Sequence, residues 1–179
     1  MLRLRALIPP AFVAGLAGIV VVQGMFRRYP LTTGAVPYGI VSFELAGSIA
    51  RARQIVDSWR ASGLIANVRP NMWIDSTRFI PCYVATLLLG CLWVADAFGA
   101  RGARVVRWLA AGQILAGALD LVENTAMLQS VGVLEAGGDP GAWPALAAGC
   151  AVLKFALVAA GILAILAGAI AWLRRRLQA

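Results

Sequence analysis

The stretch Ala142–Leu173 reads AWPALAAGCAVLKFALVAAGILAILAGAIAWL and carries one charge, Lys154. Roughly 20 apolar residues suffice to cross a bilayer as a helix. This run is longer than that and ends on Arg174, Arg175 and Arg176. Lys154 is the only lysine of the chain, and the other basic residues are arginines. An ammonium inside a membrane-length helix is costly unless something pairs with it, which makes Lys154 a candidate functional residue by default.

Three more apolar runs precede it: Leu7–Phe26, about Ile74–Phe98 and about Val105–Val131. Hydrophobic residues make up 61% of the 179, against about 45–50% in an ordinary soluble domain. The fold class expected is an all-α membrane protein with four transmembrane helices and an amphipathic helix in the first outer loop. A single membrane domain over residues 1–179 is expected. Pro81 lies inside the second run and predicts a kink or a freed carbonyl. The first run has the basic start of a signal peptide. It lacks a clear A-x-A site and is followed directly by Arg27 and Arg28, so it is read as a retained span.

Four spans return both termini to one side. Eight arginines fall on that side and seven on the other. Arg51, Arg53 and Arg60 of the seven belong to a long loop, where charge counts for less. Both termini are therefore expected in the cytoplasm, in a multi-pass protein of the inner (plasma) membrane. Trp108 and Trp172 fall near the inner ends of spans, and Trp73 and Trp143 near the outer ends, as an interfacial belt would place them. The net charge of +8 is explained by these membrane-edge arginines, so nucleic acid is not expected as a partner.

The chain has no histidine, the commonest general base and metal ligand. No cofactor and no metal are expected. Cys82, Cys91 and Cys150 form no CxxC and read as small apolar residues, with a Cys82–Cys150 disulfide as the alternative. Close helix packing is expected along Gly112, Ala116 and Asp120 and along Ala156, Ala160 and Ala164.

The outer connection, Tyr29–Met72, is too long for a simple loop. Its pattern is helical over about residues 38–62, with Leu45, Ile49, Ala52, Val56 and Trp59 on one stripe. Gly63 supplies a stop signal. Two readings stand: a helix lying on the outer membrane face, or a lid packed across the bundle with Glu44 pointing into its mouth.

The densest polar pattern inside an apolar run is Leu119-Asp120-Leu121-Val122-Glu123-Asn124. Positions three and four apart share a helix face, so Asp120, Glu123 and Asn124 form one patch, extended inward by Gln113. Leu115, Ala118, Val122 and Thr125 fall opposite. At about 1.5 Å per residue, Asp120 lies roughly 18 Å and Glu123 roughly 22 Å outward from Trp108. Lys154 lies roughly 27 Å outward from Trp172. A long stem closes the difference, so Lys154 is expected to pair with Glu123, or else to snorkel to the outer interface. In the second span Asp75, Arg78, Cys82 and Thr86 share a face, with Tyr83 beside them. A polar path opening outward is expected from Asp75 and Arg78, past Tyr83, to the acids. Asp75 with Arg78 also reads as an ordinary interfacial ion pair. Two carboxylates this close in an apolar helix do not both ionise without a compensating cation.

Phe43-Glu44-Leu45-Ala46-Gly47, Ile55–Trp59, Asp75 through Phe79 to Tyr83, and Leu119-Asp120 with Glu123-Asn124 together resemble an uncharacterised group of small bacterial four-helix membrane proteins. These pieces span under half of the chain. The resemblance implies four helices with these polar positions and brings no activity with it. Sterol-isomerase-like proteins also bury acids among four helices, a likeness of architecture without a shared motif.

Three functions fit. The first is binding or transport of an ion, a proton or a small amphiphile. For transport, four helices make a thin wall, which implies a homo-oligomer. The second is a structural or accessory subunit of a larger membrane complex, with polar groups fixing helix register. The third is a lipid- or isoprenoid-modifying enzyme using a carboxyl acid or base with Tyr83. No nucleophile motif, metal motif or phosphate loop favours it.

Overall fold

Runs rich in alanine, leucine and valine carry helix propensity without internal turn signals. In the computed structural model, which describes residues 2–178, they form four long helical segments. These are α1 (Leu2–Phe26), a composite span over Ile65–Ala97, α6 (Ala100–Glu135) and α7 (Trp143–Leu177). All are long and apolar enough to cross a membrane, and the protein is a multi-pass membrane protein. Among the described residues there is no β-sheet, only an isolated bridge between Thr33 and Val36. The α6 helix outruns its apolar core because Arg101, Arg104 and Arg107 continue it beyond the apolar residues. It ends in a Schellman turn. Gly137 takes φ 77°, its N–H donates to Leu134 O, and Gly138 N–H donates to Val133 O.

The composite span consists of a 3-10 turn (Ile65–Asn67), α4 (Val68–Ile74), a π-helical turn (Asp75–Phe79), α5 (Ile80–Val94) and a 3-10 turn (Ala95–Ala97). Pro81 explains the π turn. It has no N–H for the carbonyl four residues back, and the helix widens just before it. Ile80 N–H donates instead to Asp75 O, five residues earlier.

The connection after α1 resolves into two helices where the periodicity suggested one over 38–62. They are α2 (Ile40–Glu44) and α3 (Ile49–Ala61). The break falls at Gly47, with φ 64°, followed by Ser48, whose Oγ caps α3 by accepting the Arg51 N–H at 3.3 Å.

The chain forms two compact units. The first comprises Met1–Val20, Pro81–Gly117 and Lys154–Ala179. Close backbone approach is its theme. A Cβ on Gly18 would meet Cys82 Sγ, one on Gly90 would meet Phe12 and Ile165, and one on Gly168 would meet Val94. Of the expected small-residue stripes, Ala116 is buried and Gly112 abuts Leu157, but Ala156 is exposed. The closest approaches are made at glycines, because a missing Cβ brings backbones nearer than alanine does. Phe12 packs on Trp93 at 5.6 Å between ring centroids.

The second unit comprises Val21–Ile80 and Ala118–Leu153. Ala52, Ile55, Val56 and Trp59 of α3 are buried in one core with Val68 and Met72 of α4 and Ala126, Met127, Val131 and Leu134 of α6. Within the second unit this is the packed reading of the α3 stripe. The stripe of α3 meets protein, and the alternative of a stripe lying on lipid does not hold. Leu45, placed on that stripe by its spacing, is exposed because it lies beyond the end of α2. The Trp59 indole N–H donates to Leu31 O at 2.6 Å, and its ring packs on Phe43. Arg53 and Arg60 donate to Gly138 O and Leu134 O, so the polar edge of α3 is tied to the end of α6.

Candidate functional site

The buried face of α6 is continuous. Ala103, Val106, Ala110, Gln113, Ala116, Asp120, Glu123, Asn124, Met127 and Ser130 recur at helical spacing, and all are buried. Leu115, Ala118, Val122 and Thr125 lie on the other face and are exposed. The three polar residues read from the spacing therefore fall together on the protein-facing side.

The long apolar helices and the outer loop bury a set of charged side chains. Glu123 is 0% exposed, Asp120 and Lys154 4%, and Glu44 8%. None of the four is without a partner. Burial of Lys154 excludes snorkelling into solvent. On α7 it follows Ala147, Cys150 and Ala151 along the same buried stripe, and its Nζ lies 4.6 Å from the Phe155 ring centroid. Glu44, the last residue of α2, is buried beside buried Phe43 while Leu45 turns outward.

Within the second unit Asn124 has defined neighbours. Its Nδ2 donates to Asp75 Oδ2 at 2.7 Å and to Ser76 Oγ at 2.9 Å. Adjacent residues on a regular α-helix point about 100° apart. Here both residues belong to the π turn ahead of Pro81 and both reach one amide nitrogen. The π turn thus converts a proline defect into a two-point receptor for Asn124. Arg78, from the same turn, is exposed, and its guanidinium lies 5.5 Å from the Trp73 ring centroid. Asn71 is buried and donates to Tyr29 O at 3.1 Å. Ser76 and Asn71 were missed by the sequence reading. The Asp75-Ser76 adjacency was the available signal for the first, and nothing marked the second.

Within the first unit Tyr83 and Thr86 are buried, and Thr86 Oγ1 donates to Cys82 O at 2.7 Å. Gln113 is wholly buried, and its Nε2 donates to Leu109 O and Leu157 O. Its Oε1 is buried with no hydrogen-bond partner. The three cysteines are free thiols. Cys82 and Cys91 make long contacts to the backbone oxygens of Gly15 and Gly161. Among the described residues no three acid or thiol side chains come together as a metal cage.

Chemically, such an arrangement can hold protons or positive charge and can lock helices in register. Comparison with family models, with curated proteins and with solved structures finds no match to this chain.

Proposed function

We propose that the polar face of α6, centred on Asp120 and Glu123, is the seat of a binding or transport function for a proton, an ion or the cationic group of a small amphiphile. The burial of acids carries the reading. Among the described residues Asp120 and Glu123 of α6 and Glu44 of α2, all in the second unit, are buried. Taking a carboxylate out of water costs several kcal/mol by order of magnitude unless it is paired, protonated or bound to a cation, so a desolvated acid face suits the exchange of a proton or a cation. On this reading Asp75 and Asn124 set the polarity around the acids, and Arg78 stays at the membrane edge. The site opens outward, and both termini lie in the cytoplasm of a bacterial cell.

The test is proton displacement. Protein in weakly buffered nanodiscs is exposed to sodium or to tetramethylammonium while pH is followed. Wild type is expected to release protons, and Glu123→Gln and Asp120→Asn to release fewer. Release that is unchanged in both variants would overturn the reading.

A structural subunit is the second reading. The amide protons of Asn124 and Gln113 are spent on neighbouring side chains and helix carbonyls, as register pins would be. It predicts that Glu123→Gln leaves any activity intact and weakens assembly.

A further inference from the structure

Away from the acids of α6, the first unit holds a cavity of about 720 Å³ where the second span ends and α6 begins. Its charged rim is Asp96, Arg104 and Arg107, and its apolar wall includes Phe98, Ala103 and Trp108. Arg104 and Arg107 are three residues apart and share a helix face. Asp96 holds Arg107 at 3.0 Å, which fixes one guanidinium fork. Arg175 reaches the same corner, donating to Ala97 O at 2.7 Å, between Asp96 of the rim and Phe98 of the wall. Trp108 is exposed at the start of an apolar run, where an indole marks the membrane interface.

We propose that this cavity binds the headgroup of an anionic phospholipid. Two features select that occupant. The guanidiniums outnumber the single carboxylate of the rim, and arginine forks match phosphate oxygens. The wall is apolar and the volume is many times that of a phosphate ion. A glycerophosphate with its first methylenes fills both parts, whereas a free anion leaves the apolar wall uncovered. Basic pockets at the ends of membrane helices hold anionic headgroups on the same physical grounds.

Native mass spectrometry of the detergent-solubilised full chain measures it, with short-chain phosphatidylglycerol, phosphatidylcholine and soluble glycerol phosphate as separate probes. Phosphatidylglycerol is expected to bind the wild type tightest. Arg104→Gln with Arg107→Gln weakens it roughly thirtyfold. Arg104→Gln alone, which spares the Asp96 ion pair and guards against misfolding, weakens it about fivefold. Arg27→Gln with Arg28→Gln removes the same charge from two exposed residues outside the cavity and has little effect. Equal binding of phosphatidylcholine, full retention in the Arg104 variant, or an equal loss in the Arg27 and Arg28 control would each overturn the proposal. Glycerol phosphate binding as tightly as the lipid would overturn the lipid as occupant.

Discussion

Trp59→Ala should undock α3, the lid of the second unit, without unfolding the membrane helices. Trp59 is wholly buried, packs on Phe43 with ring centroids 5.3 Å apart, and donates its indole N–H to Leu31 O at 2.6 Å. Truncating a buried tryptophan costs about 3–5 kcal/mol. At 1.4 kcal/mol per decade the open lid becomes roughly a hundred to a few thousand times more populated. Trp59→Phe keeps most of the ring and removes the hydrogen bond. Leaving the Leu31 carbonyl unpaired costs about 1–3 kcal/mol, or roughly five- to a hundredfold. Hydrogen exchange read by mass spectrometry in nanodiscs reports the opening directly. Amides of Ala52–Trp59 should speed up by these factors in the order Ala above Phe, while amides within Val106–Ala116 stay protected. Unchanged exchange over Ala52–Trp59 in Trp59→Ala would refute the docked lid and return α3 to the membrane surface.

Two further perturbations follow from single geometries. Asn124→Leu deletes both hydrogen bonds to the π turn, one of them to a carboxylate. It should cost about 1.5–3 kcal/mol in thermal unfolding, and exchanging the pair as Asp75→Asn with Asn124→Asp should recover part of that. Recovery absent in the exchanged pair would show that Asn124 does not act through Asp75. Gly168→Ala places a methyl against Val94, a β-branched side chain that cannot swing away. A loss of about 1–3 kcal/mol is expected in the same assay, whereas Gly63→Leu cannot serve as a spacing control because Gly63 takes φ 69°. Gly132, where an added Cβ would meet nothing within 4 Å beyond its own helix backbone, is the better comparison, and Gly132→Ala should not destabilise.

Much of the site was legible because α6 obeys one period throughout. Asp120, Glu123 and Asn124 occupy the buried face that their spacing assigned, and Lys154 is buried on α7. The fate of the α3 stripe was not legible. Ile55, Val56 and Trp59 satisfy lipid and a protein core equally well, and only the presence of Met127, Val131 and Leu134 opposite decides between them. The break at Gly47 was written in the Gly-Ser pair, but a smooth apolar period over residues 38–62 outweighed it. Pro81 announced a defect without its form. A kink and a π turn both answer a missing N–H, and the choice rests on what Asp75 and Ser76 find to bind, which is Asn124. Glycine contacts were missed because a residue without a side chain leaves no periodic mark. The alanines that did leave one include Ala156, which is exposed.

The central claim is that the buried acid face of α6 in the second unit holds a proton or a bound cation. Infrared spectroscopy of the protein in nanodiscs, at neutral pH and with only a bulky impermeant amine as counterion, tests this most directly. A protonated carboxylic acid band is expected, reduced in Glu123→Gln or in Glu44→Gln. A spectrum showing every buried carboxyl ionised, with no cation bound, would contradict the account.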